Sequence, residues 1–198
     1  MTPEPPLQLL ERALAQADEV IASVAPEQSS LPTPCSGWDV QALVRHMVVQ
    51  DLRNFTVAAR GETADWGAAP DDLPEDWAGA FRRGARTLLR TWQEADLDQP
   101  VPMPGGGEAP LRARLDHQVT ELAVHTWDLA RATGQDRELD PEVAERALGW
   151  SKRMLRPEVR GEGKAFGVEV PVDDDAPVYD RLAGWFGRDP AWLPSGDR

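Results

Sequence analysis

Apolar residues return every three or four positions along most of this chain, a spacing that buries one face of a helix. From Leu7 to Val24 they fall at Leu7, Leu10, Leu14, Ala17, Ile21 and Val24. This predicts a first helix, ended by the Pro-rich stretch that runs to Pro34. Ser36-Gly37-Trp38-Asp39 resembles a capping box, with Ser36 at the N-cap and Asp39 three residues on. A second helix is expected from there to about Arg60, with Val40, Leu43, Val44, Met47 and Phe55 on its apolar face. Trp77, Phe81, Ala85, Leu88 and Trp92 predict a third, roughly Glu75 to Glu94, which Gly84 weakens slightly.

Asp98 to Pro110 holds Pro100, Pro102, Pro104 and the glycines 105–107, so it reads as a non-helical connection. Leu111 to Thr133, stopped by Gly134, predicts a fourth helix. Asp140-Pro141-Glu142 has the form of an N-cap, an N1 proline and an acidic first turn. The fifth helix that it opens should reach about Leu155, before Pro157 and Gly161 end it. Val168, Val170 and Val172 then alternate as a short extended segment, and a last helix is expected near Pro177 to Phe186. No internal repeat is found. The fold class that follows is all-α: a four-helix bundle with additional C-terminal helices and a short extended tail segment, one domain over residues 1–198.

Composition acts mainly by exclusion. The chain has 198 residues, 41% of them hydrophobic, enough to bury a core. Lys+Arg 21 against Asp+Glu 34 gives a net charge of −13, which argues against nucleic-acid and anionic-membrane partners. The longest uncharged run, Gln28 to Trp38, contains two prolines and is too short to span a bilayer. Thr2-Pro3-Glu4-Pro5-Pro6 does not resemble a signal peptide, so a cytoplasmic location is expected. The single cysteine, Cys35, excludes an internal disulfide or a multi-cysteine metal cluster and leaves His and carboxylate as the plentiful ligands.

On the fourth predicted helix His117, Glu121 and His125 are spaced four apart, with Asp128 between them in projection. Such a stripe is either a solvated face or a ligand set. The apolar side, Leu115, Val119, Leu122 and Leu129, lies about 120° away, which leaves His125 at the boundary. His46 sits at the edge of the second helix's apolar face, in line with Gln50 and Asp39, and reads either as a packed histidine or as a ligand. Bundles build metal sites from inward-edge residues of facing helices. His46, Glu121 and His125 would supply two imidazoles and one carboxylate and leave a coordination position open. That set suits Zn²⁺ or another borderline divalent ion such as Ni²⁺.

Three further features carry less. Cys35, just before a helix N-terminus, has the position of a nucleophile but sits in a Pro-Cys block. Gly105-Gly106-Gly107 lacks the Lys-Ser/Thr of a phosphate loop. Arg82, Arg83, Arg86 and Arg90 on the third helix read as a solvated face rather than a site for an acidic ligand.

Three blocks carry a family resemblance: Pro32-Thr33-Pro34-Cys35-Ser36-Gly37-Trp38-Asp39-Val40 leading to Leu43-Val44-Arg45-His46, then Glu121-Leu122-Ala123-Val124-His125-Thr126-Trp127-Asp128-Leu129-Ala130, then Phe166-Gly167-Val168-Glu169-Val170-Pro171-Val172. Together they resemble the DinB-like superfamily, in the branch related to the mycothiol-dependent maleylpyruvate isomerase N-terminal domain. The resemblance implies a four-helix bundle with a divalent metal held by a His of the second helix and an acidic-x-x-x-His pair of a later one. Carried over, these are His46, Glu121 and His125. Many members use His where this chain has Glu121, whereas the isomerase resembles this chain. His117 lies outside the motif and is expected, with Asp128 and Gln50, to line the pocket.

The function expected on these grounds is a metal-dependent S-transferase or isomerase that uses a low-molecular-weight thiol of the mycothiol type on a small electrophile. The alternative is a non-catalytic or stress-linked bundle with a structural metal. No particular catalytic residue, electrophile or metal follows from the sequence, and a homodimer is left open.

Overall fold

A computed structural model describes residues 6–69, 71–102, 107–155, 157–161 and 166–194. The predicted periodicities become helices α1 (Pro6–Ala22), α2 (Val40–Arg45), α3 (Leu52–Ala59), α4 (Trp77–Glu94), α5 (Arg112–Ala132), α6 (Pro141–Met154) and α7 (Val178–Trp185). The architecture is an all-α bundle. Its four core helices are α1, the α2–α3 stretch, α4 and α5, and α6 and α7 pack on beside α5. Phe81, Leu88 and Trp92 of α4 are fully buried, and burying side chains of this size contributes about 1.5–3 kcal/mol each.

α5 runs through the middle, in contact with α1, α2, α3, α6 and α7. Its residues from Val119 to Ala130 are buried except Glu121, so polar groups on it need internal partners. Gln118 Oε1 accepts from Trp92 Nε1 at 2.7 Å. Arg146 of α6 donates to Asp116 Oδ1 through Nε and Nη2 at 2.9 and 2.7 Å.

Several expectations are corrected. The second predicted helix is not one α-helix, because the turn His46–Asp51 between α2 and α3 is π-helical. Its N-cap is Asp39, whose side chain accepts from the Ala42 N–H at 2.7 Å, and not Ser36. Ser36 lies in a turn closed by the Trp38 N–H on Cys35 O. Gly37 there takes φ +83°, a conformation that favours glycine and holds the chain out of the helix until Asp39. The Asp98 to Pro110 connection contains a two-stranded antiparallel hairpin, β1 (Pro100–Pro102) and β2 (Glu108–Pro110). Pro104, Gly105 and Gly106 lie outside the described residues, as does Met1–Pro5.

Asp140 caps α6 as expected, accepting from the Glu142 N–H at 3.0 Å. Residues 168–172, expected as an extended segment, pair in no ladder. Instead the Val170 N–H donates to Gly184 O of α7 at 2.9 Å, and Val168 is exposed. The arginines of α4 do form a solvated face: Arg82 pairs with Asp18 at 2.8 Å and Arg83 with Asp76 at 3.5 Å. No helix among the described residues is long and apolar enough to cross a membrane.

Candidate metal centre

The π-helical turn and the middle of α5 face each other, and between them lie the three residues singled out as ligands. His46 Nε2 is 3.8 Å from Glu121 Oε2, and His125 Nε2 is 3.3 Å from the same oxygen. The ligand atoms of His46, Glu121 and His125 all lie within 4.8 Å of one another. The two imidazoles meet edge to face with centroids 4.9 Å apart, and the Trp38 ring covers both, 4.8 Å from His46 and 5.8 Å from His125. The reading of the α5 stripe as a solvated face therefore fails for His125 and Asp128, which are buried, while Glu121 is half-buried. Periodicity alone could not exclude that reading, because it does not reveal that a second polar edge faces the stripe.

Each histidine is oriented through its other nitrogen. His125 Nδ1 lies 3.1 Å from Asp128 Oδ2, so that in the neutral ring Nε2 holds the lone pair for a cation. His46 Nδ1 is 3.0 Å from Gln50 Oε1, and Gln50 is tied in turn to the Trp66 carbonyl. His117 Nε2 meets the other Glu121 oxygen at 3.2 Å. The His117 ring is walled by Phe55, Trp66 and, stacked at 16°, Trp150. The three residues expected to line the pocket thus adjoin the cluster, with His117 and Gln50 partly exposed and Asp128 buried.

Asp51 is a neighbour that the sequence reading missed. It is buried, with Oδ1 3.3 Å from His46 Nε2, yet the two are not aligned for a hydrogen bond and both atoms lack a hydrogen-bond partner. Asp51 is five residues beyond His46, and it is the π-helical turn, with its wider i to i+5 period, that puts both on one side. The 3.6-residue count used on the sequence gives no such signal. Arg188 was missed as well: its Nε and Nη2 donate to Asp128 Oδ1 and Oδ2 at 3.2 and 2.9 Å.

The electrostatics follow from burial against these contacts. Burial works against a charged Glu121, but its close approaches to His117, His125 and His46 outweigh that and hold the carboxyl well below its ordinary range. Burial likewise opposes a charged His125, and the contacts to Asp128 and Glu121 overcome it, raising the ring to about 10. Desolvation dominates at Asp51 and pushes it up to about 6 despite His46. Cys35 is raised by burial, against the pull of Arg188 and His125, and so is held as a thiol. These are the features of a cation site: a half-buried carboxylate kept ionised, two imidazoles converging on it, and an unpartnered imidazole nitrogen. An open groove of about 600 Å³ along α3 and α4, lined by Leu52, Arg53, Val57 and Arg83 among others, includes none of these residues.

Residues 10–130 match the sequence profile of the mycothiol maleylpyruvate isomerase N-terminal domain. The chain belongs to this family. Two uncharacterized proteins of Mycobacterium tuberculosis, MT0763 of strain CDC 1551 / Oshkosh and Rv0738 of strain ATCC 25618 / H37Rv, are each 31% identical over 194 residues, 92% of this chain and 97% of theirs. Crystal structures of the mycothiol-dependent maleylpyruvate isomerase and of a histidine-to-alanine mutant of it superimpose with a TM-score of 0.52 at 18% identity. That match covers 71% of this chain and 65% of the isomerase, so the chain spans somewhat less than two thirds of the isomerase's length, and the likeness shows the fold.

Proposed function

We propose that this family member, acting as one unit over residues 1–198, binds a divalent metal, Zn²⁺ by preference, through His46 Nε2, the Glu121 carboxylate and His125 Nε2. On this reading it is an S-transferase or isomerase that uses a low-molecular-weight thiol of the mycothiol type on a small electrophile. The observation that carries the metal half is the convergence of the three donor atoms within 4.8 Å around the buried, unpartnered His46 Nε2. The thiol half rests on membership of a family named for a mycothiol-dependent isomerase.

A divalent ion on two neutral imidazoles and one carboxylate would keep a net charge of about +1 and favour a thiolate over a thiol at neutral pH. The chain's own residues prepare for this. Glu121 is kept ionised by three histidines, Asp128 and Gln50 turn the two imidazoles inward, and Trp38 shields both rings from water. The protein's own Cys35 is held as a thiol and is not needed as the nucleophile.

The test is metal analysis of the purified protein, followed by thiol conjugation assays with a panel of cofactor thiols. Glu121→Gln should weaken metal retention and abolish turnover. Turnover that survives complete metal removal would overturn the reading. One observation favours a structural metal instead: the unpartnered Asp51 Oδ1 beside His46 offers a further carboxylate that would close the site. Thiol addition to the Co²⁺-substituted protein separates the two, because a sulfur-to-cobalt charge-transfer band requires an open position.

A further inference from the structure

Asp128 is fully buried, and a lone buried carboxylate would be costly. Its partner comes from 60 residues further along the chain. α7 ends in a Schellman turn: the Gly187 N–H returns to Gly184 O and the Arg188 N–H to Ala183 O, each at 2.9 Å. Gly187 takes the φ of +80° that such a turn needs. The turn aims Arg188 back at α5, where its side chain is 12% exposed. All three nitrogens of its guanidinium are engaged within the chain. Nε and Nη2 hold the two oxygens of Asp128, and Nη1 donates to Phe186 O at 2.9 Å. Two of these three contacts fall on Asp128, so Arg188 bears on the site through that carboxylate.

The geometry points to Arg188 as a positioning residue of the metal centre: through Asp128 it locks the ring and tautomer of His125, and the segment Val178–Arg188, outside the matched residues 10–130, thereby completes the site. Asp128 oxygens that faced only His125 Nδ1 would be free to rotate; the two-point guanidinium contact fixes the carboxylate plane and with it the direction in which His125 Nε2 points. The consequence for metal affinity rests on the reading proposed above. The consequence for His125 does not.

α5 supplies its own control. Asp116, three turns earlier, is held by Arg146 through a similarly close contact from two guanidinium nitrogens, but it has no contact with His125. The experiment is competition of Zn²⁺ between the full-length protein and a chromogenic chelator, for Arg188→Ala, Arg188→Lys and Arg146→Ala. It is accompanied by nitrogen-15 imidazole spectra of the metal-free proteins. Arg188→Ala should lower zinc affinity about 10–100-fold and lose the downfield Nδ1–H signal of His125, while Arg146→Ala should leave both as in the unmutated protein. Arg188→Lys, which keeps the charge without the fork, should fold and fall between. Equal losses in Arg146→Ala, or zinc affinity and the His125 signal unchanged in both Arg188 variants, would overturn the proposal. If the unmutated protein takes up no divalent ion, the metal reading fails, and the His125 signal still decides whether Arg188 positions the ring.

Discussion

His46 and His125 present the same atom to the same carboxylate oxygen, but they are held there in opposite ways. The partners of His46 are its sequence neighbours: Gln50 at 3.0 Å and Asp51 at 3.3 Å, both delivered by one π-helical turn. That half is under-satisfied, with His46 Nε2 and Asp51 Oδ1 unpartnered and Asp51 pushed up to about 6 by burial. The partners of His125 form a chain, Asp128 at 3.1 Å and then Arg188 at 2.9 Å, in which each charge is answered. One half keeps unpartnered buried atoms, and the other has its charges paired.

The largest effect that would break this contrast is on stability. Asp128→Asn leaves the Arg188 guanidinium buried without its partner and should cost about 3–5 kcal/mol in denaturant unfolding of the metal-free protein. Asp51→Asn removes a carboxylate that burial already penalises, and at neutral pH it should cost under about 1 kcal/mol or stabilise. Equal losses would mean that the two halves do not differ.

Metal content is the next measure. His125→Ala should lower zinc content well beyond the ~10–100-fold that an outer partner is worth, and His117→Ala should mostly spare it, because His117 touches only the far oxygen of Glu121. Loss of equal size in both, by metal analysis after dialysis, would bring His117 among the ligands.

A pH series sharpens the comparison further. In the metal-free protein His125 is raised from its ordinary 6.5 to about 10. The stability that this ring contributes is therefore fully present below about 6.5 and is lost as the pH rises through about 10. Zinc must displace that proton, and part of one from His46, where burial is outweighed by Asp51 and Glu121 and the ring is raised as well. Binding near pH 7 should therefore release at least about one proton, and apparent affinity should rise at least about tenfold per pH unit across the neutral range. Calorimetry in buffers of different ionisation enthalpy reads this directly, and affinity independent of pH would contradict it.

The smallest effect concerns Cys35, which lies beside the His125 half. Cys35→Ser should leave metal content and thiol-transfer turnover within about twofold, since burial holds this sulfur as a thiol. Turnover lost with metal still bound would make Cys35 the nucleophile and end the cofactor-thiol mechanism.

Much was legible in the sequence because it is local. The helix periods, the Asp140-Pro141-Glu142 opening of α6 and the four-residue spacing of His117, Glu121 and His125 each depend on near neighbours, and the backbone turns them into structure through its own hydrogen bonds. The family blocks named the same ligand candidates. What only the tertiary structure decided lies where distant elements meet. Asp39 replaced Ser36 as the cap because the Gly37 turn delays the helix. Asp51 reached His46 because the helix widens to a π-helical turn where it packs against α5. His125 and Asp128 of the α5 stripe became buried because other helices surround them, and Arg188 found Asp128 only when α7 docked. Helical spacing fixes which side chains share a face, but burial and charge pairing depend on what that face meets, and this is settled when the chain closes on itself.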